Sequence, residues 1–159
     1  MTRRLPLLFF LFAPALWAEP VKGSVQVGSA QPVKVQDGWV GSDCTPRFLN
    51  VFLVPYKSPK HQLEDGKPYV QVCAWFDKDK PDLSKISMAT LTVSGVPAGS
   101  ESKYTFNDSR AARQMLQLFQ VQGRNWHFVS SLKNVTSPYP KTVPGSWDLD
   151  VTVAAPKAP

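Results

Sequence analysis

The sequence predicts a mainly β fold, an antiparallel β-sandwich of about seven short strands with one amphipathic α-helix. Apolar and polar residues alternate in short runs, most cleanly where Trp147, Leu149, Val151 and Val153 interleave with Asp148, Asp150 and Thr152. Turn signals such as Asp37-Gly38, Asp65-Gly66 and Gly95 to Gly99 punctuate those runs. Helical spacing appears once, at Ala112, Met115, Leu116 and Phe119. Many short strands and a single helix suit two packed sheets with one covering helix.

The elements follow in order. Val21, Val25 and Val27 alternate weakly, and Val33 and Val35 alternate with Lys34 and Gln36 ahead of the Asp37-Gly38 turn. Arg47 to Val54 is apolar on both faces and lies between Pro46 and Pro55, which predicts a buried central strand. Tyr69 to Phe76 is a second strand, with Val70, Val72, Ala74 and Phe76 on its apolar face and Tyr69, Gln71, Cys73 and Trp75 on a mixed one. Ile86 to Val93 and Lys103 to Phe106 read as further strands. Asn107-Asp108-Ser109 offers three N-caps to a helix of about three turns that Gly123 would close. Trp126 to Leu132 is the next strand, Ser137 to Gly145 a proline-rich crossing, and Trp147 to Val153 the last strand.

The N-terminus predicts export. Met1-Thr2-Arg3-Arg4 is a short basic start, Leu5 to Leu16 holds ten apolar side chains and two prolines, and Ala18 offers a small residue for cleavage. The expected organisation is a cleavable signal peptide over 1–18, a single β-rich domain over 19–153 and a disordered tail over 154–159. A cut after Ala15 is the alternative, because Leu16 sits where a smaller residue is preferred. About 20 apolar residues are needed to cross a bilayer, so no stable membrane anchor is expected from this run. Arg3-Arg4 alone does not make a twin-arginine signal, with Pro6 following so closely. The first cysteine is Cys44, too far from the cut for N-terminal lipidation. The expected compartment is the periplasm or the exterior.

Loss of Arg3 and Arg4 lowers the formal charge from +6 to +4, and Lys and Arg are scattered with no run of three. A nucleic-acid partner would require a concentrated basic face and is not expected. The surplus would suit mild attraction to an anionic envelope surface, and a solvated exterior is the plainer reading. In an oxidising compartment Cys44 and Cys73 are expected to pair, closing a 29-residue loop at a gain of about 3–4 kcal/mol in the chain-entropy model. No tryptophan lies between them, so the disulfide pattern of immunoglobulin domains is missing: Trp75 follows the second cysteine instead.

No motif assigns chemistry. His61 lies in a polar loop near Glu64 and Asp65, and His127 lies three residues before Ser130. A triad is defined by geometry, yet no Gly-x-Ser-x-Gly elbow accompanies any serine. Neither Cys-x-x-Cys nor His-x-x-x-His is present, and Asp77-x-Asp79-x-x-Asp82 lacks the glycine a calcium loop requires. No catalytic residue, metal ligand or cofactor is therefore expected. Asn107-x-Ser109 and Asn134-x-Thr136 match glycosylation acceptors, a pattern frequent by chance. Among the mature tryptophans, Trp75 and Trp147 are in phase with strand residues, whereas Trp39 follows a turn and is the expected exposed contact for a ligand or partner.

These readings favour a non-enzymatic exported protein that binds another macromolecule of the cell envelope, as an inhibitor, an immunity-type protein or an assembly accessory. The positive charge disfavours inhibition of a cationic enzyme such as a lysozyme. The rivals are a small-ligand or glycan-binding module built on Trp39, and an enzyme with an unrecognised site around His61 or His127.

Overall fold

The computed structural model describes residues 21–45, 47–77, 82–136 and 143–154. The expected signal peptide, residues 137–142 of the proline-rich crossing, residues 78–81 of the acidic run and tail residues 155–159 lie outside them. Two antiparallel sheets and a single helix make the predicted β-sandwich. Among the described residues there are ten strands where the sequence suggested about seven. They are β1 (Val21–Val27), β2 (Val33–Lys34), β3 (Asp37–Val40), β4 (Phe48–Val54), β5 (Tyr69–Phe76), β6 (Ile86–Ser94), β7 (Glu101–Phe106), β8 (Leu118–Gln122), β9 (Asn125–Val135) and β10 (Gly145–Ala154), with α1 (Ser109–Met115) between β7 and β8.

The first sheet runs β2-β1-β10-β9-β8 and the second β3-β4-β5-β6-β7. The order around the sandwich is therefore the order along the chain, closed by β10 against β1. At one side the chain passes from sheet to sheet in two residues. The Val35 N–H bonds the Gly23 carbonyl of β1 at 3.0 Å, and the Gln36 N–H bonds the Val54 carbonyl of β4 at 2.8 Å. Gly23 is required there, since a Cβ at its φ of 135° would overlap the Asp148 carbonyl of β10. At the other side α1 makes the crossing.

Alternation builds the core between the sheets. Val25, Val27, Phe128, Leu149 and Val151 face Leu49, Val51, Leu53, Val72 and Leu91, all nearly inaccessible. The helix is shorter than expected. Asp108 caps it by accepting the N–H groups of Arg110 and Ala111 at 2.9 and 2.8 Å, and Ala112 and Met115 bury its inner side. Leu116 then takes φ −103° and ψ 90°, which ends the helix. Leu116 stays in the core, whereas Phe119 joins it from β8 and packs its ring 5.9 Å from Phe76 and 5.7 Å from Trp126. The Gly123 expected to close a helix instead turns β8 into β9.

One buried polar chain ties the helix to the first sheet. The Trp147 indole N–H donates to the Ser130 hydroxyl at 2.8 Å, and that hydroxyl donates to the Met115 carbonyl at 2.6 Å. The last helical turn, β9 and β10 are fixed by this one serine. No helix among the described residues is long and apolar enough to cross a membrane.

Candidate functional site

The second sheet has an outer face that alternation alone would make polar. In β4, Leu49, Val51 and Leu53 enter the core, so Phe48, Asn50, Phe52 and Val54 turn outward. In β5 the outward set is Tyr69, Gln71, Cys73 and Trp75. Register places Phe48 opposite Trp75, Asn50 opposite Cys73 and Phe52 opposite Gln71, and β6 continues the rows with Met88, Thr90 and Thr92. Trp39 of β3 stands opposite Phe52.

The result is a shelf of aromatic rings around a polar centre. The Phe48 and Trp75 rings lie 4.8 Å apart, and Phe52 lies 6.1 Å from Tyr69 in an edge-on contact. These four rings and Met88 are half-buried, so each still presents apolar surface to solvent. Between them the polar groups are satisfied. Asn50 donates to the Asp43 carboxylate at 2.7 Å, and Gln71 donates to the Asn50 carboxamide oxygen at 2.9 Å. Asn50, Thr90 and Thr92 are buried even though they sit on the outer face, and Asp43 from the loop after β3 closes over Asn50.

Trp39 is not the exposed contact that its turn-flanking position suggested. It is 8% exposed, with Phe52 stacked at 5.9 Å and the His61 imidazole nearly parallel at 5.8 Å. Strand pairing brings Phe52 beside it, and the loop after β4 returns to cover it. His61 itself is exposed and holds φ 51°, a conformation uncommon for a residue with a Cβ. At 8% exposure the Trp39 ring offers little surface to a ligand.

The expected Cys44–Cys73 disulfide is also corrected: both cysteines are free thiols. Each sulfur is directed to its own partner, with Asn50 touching both. The Cys44 thiol donates to the Phe48 carbonyl at 2.9 Å, while the Cys73 thiol points to the Asn50 carboxamide oxygen at 3.7 Å. Burial pushes the Cys73 thiol up to about 11 and raises Cys44 as well, so neither is an activated nucleophile.

The two histidines do not meet. His61 caps Trp39 on the second sheet, and His127 lies on the outer face of the first. His127 sits in a cross-strand relay, with Nε2 2.7 Å from the Asp150 carboxylate of β10 and Nδ1 3.4 Å from the Gln122 amide of β8. Ser130 cannot complete a triad with it: that hydroxyl faces the core and is committed to Trp147 and Met115. Among the described residues no group of three or more His, Cys, Asp or Glu is placed to hold a metal ion.

Sequence reasoning passed over Phe48, Phe52, Tyr69 and Trp75 as a group. The signal was present in the Arg47–Val54 stretch, apolar on both faces although only one face meets the core. No family model, curated protein sequence or solved structure matches the chain.

Proposed function

We propose that the chain is an exported, non-enzymatic β-sandwich protein that binds a macromolecular partner of the cell envelope through the outer face of the second sheet, as an inhibitor, an immunity-type protein or an assembly accessory. The observation behind this reading is the partly exposed ring set Phe48, Phe52, Tyr69 and Trp75 on the solvent side of a sheet. Rings of this kind have few rotatable bonds and bury large areas, so they anchor protein interfaces at low entropic cost. The satisfied Asp43–Asn50–Gln71 network beneath them keeps the shelf rigid before binding. Export rests on the N-terminal segment, and the absence of a catalytic role rests on two histidines that find no nucleophile among the described residues.

The test is site-specific photocrosslinking in the native envelope. A crosslinker in place of Trp75 should give one dominant adduct, whose purified component then binds the wild-type protein and fails to bind Phe52→Ser. A crosslinker at Gln26, on the opposite sheet, should not give that adduct. Equal labelling from both positions would remove the face from consideration. The glycan reading survives only at Trp75, since Trp39 is covered; quenching of Trp75 fluorescence by glycan fragments is the outcome that would favour it.

A further inference from the structure

The two sheets end in four edge strands, and three of them are blunted against pairing with another chain. β2 has two residues and follows Pro32. β3 has four, and the carboxylate of its Asp37 is bonded to the backbone N–H groups of Gly38 and Ser58. β7 carries Glu101 and Lys103. β8 has none of these devices. Its five residues, Leu118-Phe119-Gln120-Val121-Gln122, contain no charge and no proline. Val121 is 59% exposed, and the other exposed large apolar side chain among the described residues, Leu63, reaches only 39%.

The backbone of β8 is set up to receive a strand. Gly123, at φ 61°, takes the first central position of a two-residue turn closed by Gln122 and Asn125. Counting back from that closed pair, Gln122, Gln120 and Leu118 bond β9. Phe119 and Val121 therefore turn their N–H and C=O groups to the open side.

We propose that β8 pairs antiparallel with β8 of a second copy of this chain, about a two-fold axis at Gln120. An axis perpendicular to the sheet must place residues of the same face opposite each other, so the positions of each pair sum to an even number. With Gln120 on the axis, Val121 faces Phe119 of the second copy, Leu118 faces Gln122, and Gln120 faces its own counterpart. Each exposed Val121 is then covered by the Phe119 of the other copy, once at either side of the axis. No like charges meet. Phe119 and Val121 exchange four backbone hydrogen bonds with the second copy, and the five-stranded first sheet becomes continuous across the dimer. A contact of five residues a side is small, so the association is reversible and depends on concentration.

The experiment follows the full chain by sedimentation over a dilution series, together with amide hydrogen exchange. The sedimenting mass should climb from one chain toward two, and the Phe119 and Val121 amides should gain protection over the same concentrations. Gln120 is exposed and on the axis, so Gln120→Lys and Gln120→Glu should each be monomeric while their equimolar mixture dimerises. Leu63→Lys should leave association unchanged, which separates this pairing from general stickiness. A chain that is monomeric throughout the series overturns the proposal. So does a dimer indifferent to both Gln120 variants when circular dichroism shows them folded.

Discussion

The indole nitrogen of Trp147 lies 2.8 Å from the hydroxyl of Ser130, and both groups are buried. Ser130→Ala leaves an indole N–H with no acceptor and removes the donor to the Met115 carbonyl. A buried unsatisfied group costs about 1–3 kcal/mol. Urea unfolding should show a loss in that range with an unchanged m-value. A variant as stable as the parent would mean that this hydrogen bond contributes nothing net.

The thiols make a prediction about pH. Cys73 has an ordinary value of 9.0 and is raised to about 11 in the folded chain, chiefly by desolvation. Above pH 9 the unfolded chain loses the proton while the folded one keeps it. Stability contributed by the buried thiol is therefore complete below pH 9 and falls as pH rises toward 11. Cys73→Ala should make the alkaline decline shallower, whatever it does to stability at neutral pH. Alkylation should be slow at both cysteines in the folded protein and fast at both in urea.

Gly145 is the point where β10 passes the Tyr104 ring, and a Cβ there would fall inside that ring. Tyr104 is itself pinned, its hydroxyl donating to the Val143 carbonyl at 3.2 Å and its ring packed 5.3 Å from Trp147. Gly145→Ala should cost about 1–3 kcal/mol through overpacking, read as a lowered melting temperature. The same change at Gly99, where no atom lies within 4 Å, tests only its positive φ and serves as the comparison.

His61 covers one side of Trp39, with the two ring centroids 5.8 Å apart. His61→Ala should open that side and shift tryptophan emission to the red. His61→Gly should do the same while relieving the strained φ, so it should be the more stable of the two variants. Unchanged emission in both would mean the stack is not populated in solution.

Strands flanked by strong boundaries were legible in the sequence. Tyr69–Phe76 has the predicted limits, and the strand between Pro46 and Pro55 begins within a residue of its expected start. The helix was drawn too long because 112, 115, 116 and 119 share helical spacing, while Leu118 to Gln122 satisfies the strand period equally well. Only the backbone of Leu116 decides between them. The alternation at Val33 and Val35 marks the place of β2, but β3 was missed because Asp37-Gly38, which opens it, reads as a turn dipeptide. Trp39 failed because local context says nothing about which loop folds back over a sheet, and the cysteines failed because their count says nothing about where each sulfur points. The aromatic shelf depends on cross-strand register, which no single strand encodes.

Chain order and spatial order coincide all the way round the sandwich except at one seam, where β10 lies between β9 and β1. Every other strand finds a partner among residues already made, so hairpins can form as the polypeptide emerges. The seam cannot. Val21 pairs with Val151, near opposite ends of the chain, and the sheet it belongs to stays incomplete until the final segment arrives. The first sheet therefore closes last, when the C-terminal strand reaches the N-terminal one. Moving the natural break to the Gly123-Arg124 turn, with the old ends joined, would abolish that ordering without altering a single contact of the seam.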